Sequence, residues 1–167
     1  MPQEFTDAIA LLKNDHREVE ALFAKFEKAG TGSKQAIAEQ ICNELKIHSM
    51  LEEEIFYPAL KGKIEDEELL NEAYVEHDGA KVLINDIMTG GGSGDEFYDA
   101  KVKVLQEQIE HHVQEEEKPA EGLMAMAREA GVDLVAMRDQ MMTRKQELMA
   151  QAEAGGLPPA QTTAVEA

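Results

Sequence analysis

The sequence predicts an all-α chain: an up-down-up-down four-helix bundle, followed by an additional C-terminal helix and a disordered tail. Three observations predict it. Apolar residues recur at steps of three and four in four successive stretches, the spacing of one helix face. Breaks rich in Gly, Pro and Ser separate these stretches at the short distances typical of antiparallel helix neighbours. The composition is aliphatic rather than aromatic, with no Trp and nine Met among 167 residues, which suits packed helices better than sheets. That length gives one domain with a sizeable core.

The first helix spans residues 1–28, with Ile9, Leu12, His16, Val19, Phe23 and Phe26 along one face. Thr6 is placed to cap it, with Asp7 in the first turn. Ala29 to Ser33 ends it, and Ser33 opens the second helix, which runs to about Tyr57 with the stripe Ile37, Ile41, Leu45, His48, Glu52 and Ile55. Pro58 marks its end or a kink. The third helix covers roughly Asp66 to Met88, with Leu70, Tyr74, His77, Ile84 and Ile87; Ala80 and Lys81 make that face less clean. Thr89 to Asp95 holds four glycines and is a loop. The fourth helix covers about Glu96 to Glu117, with Val102, Leu105, Ile109, His112 and Glu116. Pro119 and Gly122 close the bundle, assigned to residues 1–118. A more polar helical extension covers 119–153, rich in Met. Residues 154–167, with Gly155-Gly156 and Pro158-Pro159, form the tail expected to be disordered.

Charge narrows the function. Sixteen basic against 34 acidic residues give a formal net charge of -18, which repels phosphate backbones and anionic membranes and attracts cations. No apolar run is long enough to span a bilayer and no signal peptide is evident, so the expected location is cytoplasmic. The one cysteine, Cys42, allows neither an internal disulfide nor a thiolate cluster, and is expected to be structural or exposed.

Each main helix carries one His on its apolar stripe: His16, His48, His77 and His112. Glu52 and Glu116 follow two of these four residues later, so each pair shares a helix face. A carboxylate on a buried face is costly unless it is paired or metal-bound. Neither of these two stripes carries a Lys or Arg, which points to a metal as the source of positive charge. Imidazole nitrogen with carboxylate oxygen suits iron, manganese or zinc. Six side chains exceed what one tetrahedral zinc needs; they suit one octahedral ion or two carboxylate-bridged ions, and convergence from four helices favours two. Helix phase through Val102, Leu105 and Ile109 selects His112 over His111, and Glu116 over Glu115. Glu53, Glu54, Glu115 and Glu117 belong to acidic runs expected to be solvated, with Glu53 held open as an extra ligand or a support behind one. Tyr57 and Tyr74 are expected to pack within the bundle. Tyr74 is the candidate to donate a hydrogen bond into the site.

Four segments carry a family resemblance: NDHREVEALF around His16, IHSMLEEEIFYPAL around His48, EHDGAKVLI around His77, and IEHHVQEEE around His111 and His112. Over residues from about 6 to 118 the chain resembles the hemerythrin-like, HHE cation-binding domains. The resemblance implies a non-haem di-iron site, two ions per chain, held by His16, His48, Glu52, His77, His112 and Glu116. It also implies dioxygen or peroxide as the small ligand, and roles in sensing or handling oxygen, reactive oxygen species or iron. Oxygen carriers of this type have a second His one turn from the one on the third helix. Here those positions are Ala73 and Lys81, which points away from reversible carriage. Two other functions compete with a sensor or store. One is a di-iron enzyme consuming peroxide or activating oxygen; the other is a phosphotransfer or adaptor bundle using an exposed His111. The chain is expected to be a monomer or a homodimer.

Overall fold

The computed structural model describes residues 4–166, so the start of the first predicted helix, residues 1–3, lies outside the described residues. The described residues form helices and connections without strands. Helix α1 (Ala8–Lys28) is capped by Asp7 rather than Thr6; the Asp7 carboxylate accepts the Ala10 N–H at 2.9 Å. Helix α2 (Thr31–Leu51) starts two residues before Ser33, behind Gly30. It continues through a π-helical turn (Glu52–Phe56) into α3 (Tyr57–Leu60). Helix α4 (Glu67–Thr89) is capped by Asp66, and α5 (Tyr98–Glu117) follows the glycine loop. These form the four-helix bundle, with the extra C-terminal helix packed on it.

The π turn was not legible in the spacing. It inserts one residue, so the Tyr57 N–H reaches the Glu52 carbonyl, five residues back. The inward face therefore shifts after Glu52. Ile55, expected on the stripe, is only partly buried, whereas Phe56 and Tyr57 are both 0% exposed.

Past α5 the chain turns sharply. A side chain at Gly122 would lie against the carbonyl oxygens of Glu115 and Glu116, closer than van der Waals contact allows, so only glycine fits this return. The extension is helical as expected, in two pieces. Helix α6 (Leu123–Ala130) packs on α5 and ends at Gly131, whose φ of 72° is left-handed. Helix α7 (Leu134–Ala154) lies across α1 and α2 and buries Met137, Met141 and Leu148.

The tail departs from expectation. Residues 157–165 form no helix or strand, yet they are pinned to the bundle by side chains of α2, α4 and the π turn. The reason is a demand from the other side: the Asp78 carboxylate on α4 is fully buried, and backbone N–H groups of the tail satisfy it.

Two apolar clusters divide the interior. One joins Leu11, Leu12, Leu51, Phe56 and Leu60 to α6 and α7; the other joins Val19, Phe23, Ile41, Ile84 and Leu105. Full burial of each such side chain contributes about 1.5–3 kcal/mol. Between the clusters, at the level of His16, His48, His77 and His112, lies a polar layer.

Candidate metal centre

All six residues singled out from the sequence converge in this layer. His16, His48, Glu52, His77, His112 and Glu116 are each less than 9% exposed, and Glu52 is wholly buried. The imidazoles meet in two pairs through their Nε2 atoms, His16 with His48 at 3.1 Å and His77 with His112 at 3.2 Å. Glu52 Oε1 lies 3.0 Å from His48 Nε2 and 3.2 Å from His77 Nε2. Glu116 Oε2 lies 3.1 Å from His112 Nε2, and its Oε1 lies 3.6 Å from His16 Nε2. The donor atoms fall into two groups, His16, His48, Glu52 and Glu116 in one, Glu52, His77 and His112 in the other. Glu52 belongs to both.

Behind the donors lies a ring of four more carboxylates. Asp15 on α1 accepts from His48 Nδ1 on α2 at 3.0 Å. Glu53 on the π turn accepts from His77 Nδ1 on α4 at 2.9 Å. Glu76 on α4 accepts from His112 Nδ1 on α5 at 2.9 Å. Glu117 on α5 accepts from His16 Nδ1 on α1 at 2.7 Å, closing the circuit. With Nδ1 donating to a carboxylate, a neutral ring presents its Nε2 lone pair to the centre, the orientation seen when imidazole binds metal. Glu117 was expected in a solvated acidic run; its carboxylate is in fact only 18% exposed, because it supports His16. Glu53, from another acidic run expected to be solvated, takes the supporting role that was held open for it beside that of an extra ligand. Asp15 and Glu76 were not singled out from the sequence at all.

Tyr57 is the other addition. Its hydroxyl donates to Glu116 Oε2 at 2.9 Å and lies 3.1 and 3.3 Å from Nε2 of His77 and His112. The π turn carries it there. Tyr74 packs its ring edge-on against Tyr57 at 5.2 Å, the packing role expected of it, and the hydroxyl at the centre is that of Tyr57. His111 is exposed and near Glu76, whereas His112 is buried, as helix phase selects. Cys42 is buried, and burial pushes its thiol up to about 12, so it stays protonated and inert.

The electrostatics expose an imbalance. Oε2 of Glu52 and Oε1 of Glu116 are buried without a hydrogen-bond partner, and Oε1 of Glu52 has only imidazole Nε2 atoms beside it. Burial disfavours a charge on Glu52, but the neighbouring His48 overrides it and holds the carboxyl well below its usual range. Glu116 moves the other way: burial and then the charge of Glu52 raise it. For His48, burial favours the neutral ring, yet Glu52 and Asp15 pull it up to about 10. Burial, then the charges of Glu116 and Glu52, lift the Tyr57 phenol well above its usual value. Orphaned oxygens facing convergent imidazoles fit a cation that supplies the missing positive charge.

A cavity of about 420 Å³ reaches this centre. Its inner walls include Val19, Leu45, Ile84 and Ile109 beside the imidazoles, and its outer lining includes Glu18, Glu44 and Lys145.

A four-helix bundle with a buried, carboxylate-supported imidazole cluster is an arrangement compatible with metal binding. The chain belongs to the hemerythrin family: the profile of the hemerythrin HHE cation binding domain matches residues 7–122. In three dimensions it is similar to a hemerythrin HHE cation binding domain-containing protein from Mycobacterium kansasii, with a TM-score of 0.75 and 20% identity, covering 92% of this chain and 96% of that one. At that identity the likeness speaks for the fold. No curated protein matches the sequence. No helix among the described residues is long and apolar enough to cross a membrane.

Proposed function

We propose that the protein holds two iron ions, with His16, His48, Glu52, His77, His112 and Glu116 as ligands, and that this centre senses or handles dioxygen or peroxide. The carrying observation is the set of orphaned carboxylate oxygens among four convergent Nε2 atoms. Two donor groups sharing Glu52 support two ions with a bridging carboxylate. The donor set suits iron, and zinc and manganese are the chemical alternatives.

The chain's own residues then have distinct tasks. The ring of carboxylates fixes each imidazole by its Nδ1–H and strengthens its Nε2 as a donor. Tyr57 brings a phenol oxygen to the group formed by Glu52, His77 and His112, on the side short of an imidazole because Ala73 and Lys81 flank His77. There it can fill a coordination position or deliver a proton to a small ligand. The apolar cavity walls admit a small neutral molecule, while Glu18 and Glu44 on the outer lining disfavour anions. Iron, when bound, supplies electrons and Lewis acidity.

Metal analysis with an optical spectrum, on protein purified without oxygen and then exposed to air, tests this. Two irons per chain and a new visible band on exposure are expected; fewer than about one iron and no band would defeat the proposal. Peroxide consumption is the second reading, favoured by the Tyr57 hydroxyl at the centre. Peroxide decay catalysed by the iron-loaded protein and lost in His77→Ala would select it over sensing.

A further inference from the structure

The extension after the bundle reaches the centre twice by the same kind of relay. Lys145, in the middle of α7, donates to Asp15 Oδ1 at 2.6 Å. The other oxygen of Asp15 holds Nδ1 of His48. On the neighbouring face, Thr163 Oγ1 donates to Glu53 Oε1 at 2.7 Å, and Glu53 Oε2 holds Nδ1 of His77.

Thr163 is itself fastened in place. The N–H groups of Thr163, Ala164 and Val165 donate to the buried Asp78 carboxylate at 2.8, 2.6 and 2.7 Å. Asn85 and Ala160 exchange two hydrogen bonds of 2.8 Å. Lys81, 5% exposed, donates to the Gln161 carbonyl and also to Glu53. A surface segment with nothing to position would not need a buried carboxylate that takes three of its backbone amides. Glu53 thus shares its support between Thr163 and Lys81 of α4, whereas the remaining two ring carboxylates are supported from the bundle alone: Arg17 for Glu117 and His111 for Glu76.

We propose that the extension is a positioning device for the metal centre: Lys145 sets His48 through Asp15, and Thr163 sets His77 through Glu53. The two imidazoles belong to different donor groups, so each arm governs one metal position. The proposal rests on the two-metal reading for its binding arm only.

The test uses the full chain, with Lys145→Met, Thr163→Val and the conservative Lys145→Arg and Thr163→Ser. Arg144→Gln is the control: Arg144 stands next to Lys145 on α7, and the substitution removes its ion pair with the exposed Glu54 of the π turn, which does not lead to the centre. Cobalt(II) is titrated anaerobically, with its visible absorption as a report on coordination. Losing a support bonded directly to a ligand weakens metal affinity about 10–100-fold; Lys145 and Thr163 stand one bond further out, so the low end, about 10-fold, applies. Each of Lys145→Met and Thr163→Val is expected to weaken one of two equivalents by that factor and leave the other unchanged. Arg and Ser are expected to restore it, and the control to bind as the parent does. Unchanged binding in both variants, or weakening shared equally with the control, overturns the proposal. In metal-free protein, ¹⁵N spectra follow the Nδ1–H protons directly. Faster water exchange is expected at His48 in Lys145→Met and at His77 in Thr163→Val, and unchanged exchange overturns the relay. If the parent takes up fewer than two cobalt ions, the two-metal reading fails while this second measurement still decides the relay.

Discussion

Replacing Glu116 by Gln should make the metal-free protein more stable while damaging its ability to hold metal. Glu116 is wholly within the core, its Oε1 has no hydrogen-bond partner, and burial with the charge of Glu52 raises its carboxyl above the ordinary value. A carboxyl raised in the folded chain opposes folding above its unfolded value, and the penalty fades as falling pH protonates it. Gln keeps the shape, still accepts from Tyr57, and removes the charge. An orphaned buried polar group costs about 1–3 kcal/mol. At about 3 °C per kcal/mol for a chain of this size, Glu116→Gln should melt roughly 3–9 °C above the parent in chelator at pH 7. With metal the order should reverse. The group of His16, His48, Glu52 and Glu116 loses one of its four donors, while the parent gains about 4 kcal/mol from an ion at a thousand times its dissociation constant. Thermal unfolding with chelator, and again with anaerobic ferrous iron, measures both. If metal-free Glu116→Gln is less stable than the parent by about 1 kcal/mol or more, Glu116 serves His112 as a counter-ion in its own right, and the reasoning from orphaned oxygens is refuted.

Other outcomes follow from the same geometry. His48 is held up to about 10 in the metal-free chain and so carries a second ring proton at pH 7, and the charge of Glu116 raises His112 in the same direction against its burial. Metal uptake at pH 7 in weak buffer should therefore release protons, and affinity should rise with pH until those groups are neutral; uptake without proton release would contradict this. The lowered carboxyls of Asp15, Glu53, Glu76 and Glu117 act in the opposite sense. Their stabilisation is complete above the unfolded values and is lost as pH falls through the folded ones, so the metal-free bundle should unfold in acid, as circular dichroism would record. Tyr57→Phe removes the hydroxyl that touches His77, His112 and Glu116. The ferric protein should lose a phenolate-to-iron band in its visible spectrum, and retention of that band would exclude Tyr57 as a ligand. Gly122→Ala places a methyl against two carbonyl oxygens at the end of α5. It should cost about 1–3 kcal/mol, the range for overpacking, as chemical denaturation would show.

The bundle and its inward His and Glu residues were legible because helical spacing is a strong signal wherever one face is apolar. Ile9 to Phe26 and Val102 to Glu116 show that spacing almost without fault. What failed to show was whatever depends on a break in the period. Nothing in Glu52-Glu53-Glu54-Ile55-Phe56 announces a π turn, so Tyr57 was placed in the packing and Ile55 on the stripe. The supporting carboxylates were hidden for another reason. Glu53 and Glu117 sit inside acidic runs, where composition favours solvent, and Asp15 and Glu76 lie beside a His without sharing its face. A usable signal was present: four of the six inward positions, one per bundle helix, have an acidic residue directly next to them in sequence, Asp15 by His16, Glu53 by Glu52, Glu76 by His77 and Glu117 by Glu116. The tail was illegible because small polar residues describe disorder well. Its docking depends on backbone amides meeting Asp78, which no composition encodes.

Those four neighbouring acids also carry geometric information. Asp15 and Glu76 stand one residue before the inward position on α1 and α4, whereas Glu53 and Glu117 stand one residue after it on the α2 continuation and α5. Successive residues of a right-handed helix are turned by about 100°. A step back on a helix pointing away from an observer and a step forward on one pointing toward the observer turn the same way. Since the helices alternate in direction, the alternating offsets place all four acids on the same rotational side of their helices. Every acid thus faces the next helix round the bundle, and none faces the previous one. Four helices assembled in the opposite circular order would turn each acid away from its imidazole. The sequence thereby records the handedness of the bundle, in the sign of a one-residue offset repeated four times.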